Sequence, residues 1–236
     1  MQMSLSNRLD AIAGHIPQGS TVADIGTDHL QLPIYLINSG LCRSVIASEL
    51  NRLPYRQAEN LAAFHRLTDK IQVRLGDGLK VLSPGEAGVV VIAGIGGDAI
   101  IKMLFSSPEV LKTIQRLILQ PMTGAGYLRL WLVQNGWRIG AETIVEENGR
   151  LYCVIMAEPG RERAQDEFII EIGPRLAEKN DLLADKYLRK LCTDYQKLAD
   201  KLSGAASPAA NEKALEIKKK LTRIKEVLAK NERKLR

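Results

Sequence analysis

Short apolar, β-branched runs alternate with longer amphipathic stretches through the first 158 residues. The runs have the length of strands, and the stretches have the length of helices. We predict strands over residues 21–25, 44–48, 71–75, 89–93, 117–120, 139–144 and 152–157. We predict helices over residues 31–39, 54–65, 97–105 and 127–135. This order is typical of an α/β fold in which helices cover both faces of a Rossmann-like, mainly parallel sheet.

Only residues 146–150 separate the last two predicted strands. Parallel neighbours need a crossover of a dozen or more residues, whereas a tight turn is enough to join antiparallel ones. We therefore predict that these two strands form an antiparallel hairpin at one edge of the sheet.

The strand–helix alternation stops at Pro159 and Gly160, and the composition then shifts to Lys, Glu, Leu and Ala. We therefore predict two domains, residues 1–160 and 161–236. Residues 1–160 carry 14 Lys and Arg against 14 Asp and Glu, whereas residues 161–236 carry 19 against 13, so the net charge of +6 belongs to the second domain. A basic domain beside a neutral one favours a polyanionic partner, although solubility alone also explains the surplus.

Two series of residues in the second domain repeat at alternating spacings of three and four, which is a heptad pattern. The first series is Ala184, Leu188, Leu191, Tyr195, Leu198 and Leu202, and the second is Ala214, Ile217, Leu221, Ile224, Leu228, Asn231 and Leu235. Gly204 and Pro208 interrupt the chain between them. We predict two helices that fold into an antiparallel coiled-coil hairpin, each burying its series against the other. In the alternative, both series complete the core of the first domain.

The composition disfavours several classes of protein. Cys42, Cys153 and Cys192 are an odd number at wide spacing, so we predict neither a disulfide framework nor a metal site. No apolar stretch reaches the ~18 to 20 residues of a membrane span, and the first 25 residues lack the pattern of a signal peptide. We therefore expect a cytoplasmic protein without a membrane partner.

Ligands of doubly wound sheets bind beyond the carboxyl ends of the strands. At the end of the first predicted strand stand Asp24, Gly26, Asp28 and His29. Gly26 permits a sharp turn and a close approach of a ligand. A single glycine is not the G-x-G-x-x-G pattern of dinucleotide-binding proteins, so a diphosphate ligand is disfavoured.

The next three strands end in further candidate residues. Glu49 ends the second, 23 residues after Gly26, where an acid can bind the hydroxyls of a ribose. Asp77 and Gly78 follow the third, and the Asp is a candidate partner for an adenine amino group. The fourth strand ends in a glycine loop made of Ala93, Gly94, Ile95, Gly96 and Gly97.

Acids after each of the first three strands predict a ligand with a ribose and a cationic centre rather than phosphates. S-adenosylmethionine has ribose hydroxyls for Glu49, and a sulfonium and an ammonium that Asp24 or Asp28 can balance. Any one of these Gly–Asp pairs is also typical of a plain turn, so only the combination predicts this cofactor.

A series of motifs runs in order through the first domain. They are Leu5-Ser6-Asn7-Arg8-Leu9, Ala23-Asp24-Ile25-Gly26-Thr27-Asp28-His29, Leu32-Pro33, Gly76-Asp77-Gly78-Leu79, Ala93-Gly94-Ile95-Gly96-Gly97, Leu117-Ile118-Leu119-Gln120-Pro121, Trp131-Leu132 and Glu146-Glu147-Asn148-Gly149-Arg150-Leu151-Tyr152. In these motifs the chain resembles the class I S-adenosylmethionine-dependent methyltransferases, and more narrowly the bacterial family that methylates N1 of adenine 22 in tRNA. It departs from the family pattern at Ile95, where the family has Met, and at Met122, where the family has Asn.

The resemblance implies a seven-stranded methyltransferase sheet, S-adenosylmethionine as cofactor and tRNA as substrate. The implied cofactor-binding residues are Arg8, Asp24, Gly26, Asp28, Glu49, Asp77, Gly78, Ala93, Gly94, Gly96 and Gly97. The implied role of the hairpin is to follow the phosphate backbone of the tRNA. Its candidate residues for this are Lys218, Lys219, Lys220, Arg223, Lys225, Lys230, Arg233 and Lys234.

Adenine N1 must leave the base stack to reach a methyl donor, and its methylation makes the ring cationic. Asp28, His29 and Gln120 are the catalytic candidates for stabilising that charge or handling a proton. For His29, a histidine that only hydrogen-bonds within its loop is favoured over a role in proton transfer. Tyr127 and Trp131 are candidates for stacking on the base, but both lie on a predicted helix, where packing in the core is favoured.

Three other functions stay open at this point. A small-molecule methyltransferase shares every cofactor feature, and only the basic hairpin argues against it. An NAD-dependent oxidoreductase is disfavoured by the missing glycine triplet. A non-enzymatic adaptor that binds a protein through the hairpin would need neither the cofactor nor Glu49.

Overall fold

The computed structural model describes residues 4–179, 181–204 and 207–234. These belong to two compact units, Met1–Arg163 and Ala164–Arg236, which we call the first and the second unit. The strands of the first unit are β1 (Ser20–Ile25), β2 (Cys42–Glu49), β3 (Ile71–Leu75), β4 (Val89–Ile95), β5 (Arg116–Pro121), β6 (Trp137–Glu147) and β7 (Arg150–Pro159). Its helices are α1 (Asn7–Ala13), α2 (Gln31–Asn38), α3 (Arg52–Phe64), α4 (Gly97–Phe105), α5 (Pro108–Leu111) and α6 (Ala125–Gln134), with a 3₁₀ helix at Gly78–Val81.

The seven strands form one sheet in the order β3-β2-β1-β4-β5-β7-β6. The pairs among β1 to β5 are parallel, and β7 is antiparallel to both of its neighbours. The predicted α/β class, the seven-stranded sheet and the hairpin at its edge are therefore confirmed. The chain crosses over between β1 and β4, which is the place where such sheets open a crevice for a ligand.

The hairpin strands are longer than we predicted. Pairing continues to Glu147 opposite Arg150, so a two-residue turn of Asn148 and Gly149 replaces the predicted connection over residues 146–150. Both turn residues have a positive φ, 52° and 73°, as a type I′ turn requires. The extra pairing extends the end of β6 as a regular strand.

Apolar side chains cover both faces of the central strands, which explains why these strands show no polar alternation. Val91, Ile118 and Leu119 are fully buried, and α2 adds the buried Leu32 and Leu36. Within the first unit, this core fixes the carboxyl ends of β1, β2 and β4 and the loops that follow them.

Helix α1 was not predicted from the sequence. It begins at the N-cap Ser6, whose hydroxyl accepts a hydrogen bond from the Leu9 amide, and it buries Ile12 and Ala13. Seven residues are too few to show a clear helical period, so the capping serine was its main signal.

The described part of the second unit contains α7 (Glu167–Ile172), α8 (Pro174–Glu178), α9 (Leu182–Ser203) and α10 (Pro208–Lys234). Helices α9 and α10 pack together, and contacts between the start of α9 and the end of α10 make them antiparallel. Their core also includes Phe168 and Ile172 of α7. The predicted helical hairpin is thus confirmed.

The heptad series of α10 is buried from Ala214 to Asn231, as predicted, and Leu235 lies outside the described residues. The series of α9 was wrong at Leu198, which is 42% exposed, while its neighbour Ala199 is fully buried. An α-helix has 3.6 residues per turn, so a strict 3.5-residue repeat drifts around its surface by about 20° per heptad. The small Ala199 suits a close approach of the two helices.

Candidate active site

A cleft of about 460 Å³ lies at the carboxyl ends of β1 and β4. Its walls come from α1 and the start of α2, from the end of β1 with the loop that follows it, and from the ends of β4 and β6. The lining residues are Ser6, Arg8, Leu9, Asp24, Gly26, Thr27, Asp28, His29, Gln31, Leu32, Ala93, Gly94, Ile95 and Glu147.

Asp24 provides a buried carboxylate in this cleft. The residue is 5% exposed, and its Oδ2 accepts a hydrogen bond of 2.7 Å from the Thr27 hydroxyl. Burial raises the pKa of Asp24 to about 6, the Thr27 hydrogen bond opposes that rise, and the charge of nearby Glu49 adds to it. The carboxylate is thus poorly compensated by its own protein and suited to a bound cation.

The loop after β1 has an unusual backbone. Asp28, His29 and Leu30 have φ values of 32°, 55° and 52°, which place three consecutive non-glycine residues in the left-handed region. Such conformations are costly and persist only where other contacts hold them. Here the Asp28 amide donates to Glu49 Oε1 at 2.8 Å, and the Leu30 side chain is fully buried. Glu49 therefore ties the end of β2 to this loop.

Arg8 of α1 provides the positive charge of the cleft. Its Nη1 donates to Gln120 Oε1 at 3.0 Å, and its guanidinium carbon lies 5.8 Å from the centre of the Tyr152 ring. Gln120 Oε1 also accepts a hydrogen bond of 3.2 Å from the Gly94 amide, so the fully buried Gln120 side chain ties Arg8 to the end of β4.

The cleft thus has a guanidinium on one wall and a buried carboxylate on another. An amino acid group, with its own carboxylate and ammonium, matches this arrangement of charges. The ribose-binding candidate Glu49 lies next to the cleft through its contact with Asp28. The residues present therefore fit a ligand that joins an amino acid end to a nucleoside.

The loops after β4 and β5 pack against each other through backbone atoms. The Gly97 amide donates to the Thr123 oxygen at 2.8 Å, and a Cβ atom on Gly97 would lie 2.8 Å from the Gly124 oxygen. Only a residue without a side chain fits there. Gly94 has a φ of 79°, which also favours glycine.

Comparison with known proteins gives the family of the chain. A family model described as a methyltransferase domain matches residues 5–155. The tRNA (adenine(22)-N(1))-methyltransferase of Bacillus subtilis (strain 168) is 36% identical over 234 residues, which cover 96% of this chain and 98% of that protein. The chain belongs to this methyltransferase family. The family that the motifs predicted is therefore confirmed.

Solved structures of the same methyltransferase family share the fold. The crystal structure of the B. subtilis m1A22 tRNA methyltransferase TrmK has a TM-score of 0.89 and 32% identity, covering 96% of this chain and 99% of that one. The M. capricolum TrmK structure is a complex with the cofactor product S-adenosylhomocysteine. It has a TM-score of 0.82 and 27% identity, and the match covers 95% of this chain and 98% of that one.

The site residues predicted from the sequence lie in three places in this methyltransferase. Those lining the cleft are Arg8, Asp24, Gly26, Asp28, His29, Ala93 and Gly94. Glu49 and Gln120 lie directly behind the lining, in contact with the Asp28 amide and with Arg8. The residues outside the lining are Asp77, Gly78, Gly96 and Gly97. Of these, Asp77 is half-exposed and pairs with Lys80 at 2.6 Å.

The catalytic candidates differ in exposure. The side chains of Asp28 and His29 are 84% and 65% exposed, and His29 Nε2 lies 3.2 Å from Asp28 Oδ1. Gln120 is fully buried. Tyr127 is 73% exposed, which overturns the core interpretation for that residue. Trp131 lines an apolar cavity with Phe105 and Trp137, away from the cleft lining.

Sequence reasoning missed Glu147 as a site residue. It lies at the end of β6, lines the cleft, and accepts a hydrogen bond of 3.0 Å from the Arg8 amide. Its position within the motif 146–152 is the available signal, but the predicted strands leave residues 146–150 as a connection. In the described part of the chain, no group of three or more His, Cys, Asp or Glu side chains could hold a metal ion. Among the described helices, none has the length and apolarity that crossing a membrane requires.

Proposed function

We propose that this chain transfers the methyl group of S-adenosylmethionine to N1 of adenine 22 in tRNA. The observation that carries the proposal is the pair of opposite charges in the cleft, Arg8 on one wall and the buried Asp24 on another. Membership of the methyltransferase family supports the same function. The proposed substrate makes the cytoplasm the expected location.

Each part of the cofactor has a candidate partner. The Arg8 guanidinium would bind the carboxylate of the methionine part, and Asp24 would balance its positive charges. Glu49 would accept hydrogen bonds from the ribose hydroxyls, and Asp77, on the loop after β3, would accept one from the adenine amino group. The glycine loop, Ala93, Gly94, Gly96 and Gly97 with Gly26 and Gly78, lets the backbone come close to the ligand.

When bound, S-adenosylmethionine supplies an electrophilic methyl group, which adenine N1 takes with its lone pair as the carbon–sulfur bond breaks. The protein's task is to align the everted base and to exclude water. The exposed Asp28 carboxylate, with His29 beside it, stabilises the positive charge that develops on the ring. Gln120, being buried, acts through the Arg8 and Gly94 contacts rather than on the base. Tyr127, exposed on the first turn of α6, is the proposed stacking partner of the base.

The second unit is the proposed tRNA-binding part. Its exposed lysines on α10 are Lys213, Lys218, Lys219, Lys225 and Lys230. Two of the predicted phosphate-binding residues are instead engaged within the unit: Lys220 pairs with Glu171 at 2.7 Å, and Arg223 pairs with Asp166. The side chains of Arg233 and Lys234 lie outside the described residues. The exposed lysines are thus the ones we expect to follow the phosphates.

A nucleoside analysis tests this function. The protein is incubated with methyl-labelled S-adenosylmethionine and unmodified tRNA, and the RNA is digested to nucleosides. We expect the label in 1-methyladenosine, and no label in a tRNA whose adenine 22 is replaced by guanine. Label in another nucleoside, or equal labelling of the changed tRNA, would overturn the proposal.

A further inference from the structure

Glu147 joins the tip of the β6–β7 hairpin to the first turn of α1. Its Oε2 accepts a hydrogen bond of 3.0 Å from the Arg8 amide. Next to it, the backbone oxygen of Glu146 accepts a hydrogen bond of 3.2 Å from Asn7 Nδ2. The first turn of α1 is therefore held by the end of a strand 139 residues further along the chain.

The Arg8 guanidinium lies over the Tyr152 ring and is hydrogen-bonded to the protein through one nitrogen. Its Nη1 bonds to Gln120 Oε1, and this is the one hydrogen bond that the guanidinium makes to the described residues. A guanidinium carries five N–H donors in a planar fork. The remaining donors are available to a ligand in the cleft that Arg8 lines.

Arg8 thus has two anchors on different strands. Glu147 fixes its backbone from β6, and Gln120 fixes one guanidinium nitrogen from β5. Together, Glu147 and Gln120 determine the position of the remaining N–H donors of the Arg8 guanidinium. The hydrogen bond from the Arg8 amide lowers the pKa of the Glu147 carboxyl, and the Ser6 side chain adds to this effect, so the anchor is ionised at neutral pH.

We propose that Glu147 is a positioning residue that holds Arg8 in place to bind the carboxylate of the cofactor's methionine part. This inference rests on the proposed function, because it assumes that the cleft binds S-adenosylmethionine. A displacement of a binding group by about 1 Å is enough to weaken a charged contact severely. Loss of Glu147 should therefore act on ligands with a carboxylate and spare those without one.

The test is calorimetry with two ligands, S-adenosylhomocysteine and its decarboxylated analogue, which keeps the ammonium but lacks the carboxylate. The variants are Glu147→Gln, Arg8→Ala, the double variant, and Glu146→Gln as the matched control. For S-adenosylhomocysteine we expect roughly tenfold weaker binding for Glu147→Gln and roughly tenfold to hundredfold for Arg8→Ala. The double variant should bind no more weakly than Arg8→Ala alone, because Glu147 acts through Arg8.

The decarboxylated analogue separates positioning from a general effect on the fold. We expect its affinity to change less than about twofold in Glu147→Gln, whereas a merely structural role would weaken both ligands alike. Equal losses for the two ligands, additive losses in the double variant, or wild-type binding by Glu147→Gln would each overturn the inference. If Glu147→Gln does not fold, the two ligands are compared in Arg8→Ala. If this variant keeps the wild-type ratio of affinities for the two ligands, the inference is also overturned. A wild-type protein that binds neither ligand would instead refute the proposed function.

Discussion

The Thr27 hydroxyl donates a hydrogen bond of 2.7 Å to the Asp24 carboxylate, which is 5% exposed in the cleft. This bond only partly offsets the burial of the charge, and the pKa of Asp24 rises to about 6. A buried acid with a raised pKa destabilises a protein at neutral pH, yet it is suited to receive a cationic ligand. Asp24 therefore links cofactor binding, stability and pH.

Cofactor affinity should depend on pH through Asp24. A cation bound beside this residue favours its ionised form, so binding strengthens as the pH rises through about 6 and levels off above about 7. Calorimetry with S-adenosylhomocysteine between pH 5 and 8 measures this dependence. Asp24→Asn should bind weakly and without the pH dependence. His29→Gln is the control, because it replaces another side chain of the cleft, keeps Asp24 in place and should therefore keep the dependence.

The stability of the ligand-free protein should change in the opposite direction. The folded pKa of about 6 exceeds the ordinary value of 3.8, so Asp24 favours folding below about pH 4 and that contribution is lost as the pH rises through 6. Above pH 7, Asp24→Asn should stabilise the free protein by on the order of 2–3 kcal/mol, since one pKa unit corresponds to about 1.4 kcal/mol. Thermal unfolding at pH 7.5 and pH 4 measures the gain. A Tm gain that is the same at both values would contradict this account.

The sheet followed from local patterns, whereas part of the site did not. The run at 89–93 is continuously apolar, and the run at 71–75 alternates apolar residues with Gln72 and Arg74, so each has a pattern typical of a strand. The acid and glycine positions after β1 and β4 followed from the rule that ligands bind at strand ends. Glu147 was not predicted as a site residue because its role depends on a contact with Arg8, 139 residues away, which no local pattern encodes.

The exposure of charged side chains was also predicted poorly from the sequence, because it too depends on long-range contacts. Arg129 and Glu142 look like surface residues in the sequence, but they form an ion pair of 2.6 Å with side chains 1% and 0% exposed. Lys220 and Arg223 look like free phosphate-binding residues, but each pairs with an acid of its own unit. A sequence gives the number of charges, while their pairing depends on the tertiary fold.

The ion pair of Arg129 and Glu142 joins α6 to β6 and can be tested directly. Arg129→Met should lower the free energy of unfolding by about 3–5 kcal/mol, because it leaves the Glu142 carboxylate buried without its cation. Arg129→Met combined with Glu142→Leu should recover most of that loss. Urea unfolding of the three proteins measures it, and a double variant less stable than Arg129→Met would refute the explanation.

Gly97 should tolerate no side chain. A Cβ atom there would lie 2.8 Å from the Gly124 oxygen, so Gly97→Ala must push the loops after β4 and β5 apart, at a cost of about 1–3 kcal/mol. Gly88→Ala is the matched control, since its nearest neighbour would be the Gln115 side chain at 3.5 Å. We expect a lower Tm and weaker S-adenosylhomocysteine binding for Gly97→Ala only. Wild-type behaviour of this variant would show that the two loops move apart freely.

The exposed lysines of α10 should determine the salt dependence of tRNA binding. Each phosphate contact that is lost should reduce the slope of log affinity against log salt by roughly 0.7 to 0.9. We therefore expect Lys218→Glu with Lys219→Glu to weaken tRNA binding and flatten the slope, with no change in S-adenosylhomocysteine affinity. Lys220→Gln is the matched control on the same helix, because Lys220 is engaged by Glu171 at 2.7 Å. Filter binding at several salt concentrations measures both variants. If Lys220→Gln flattened the slope as much as the double variant, then exposure on α10 would not determine which lysines contact the phosphates.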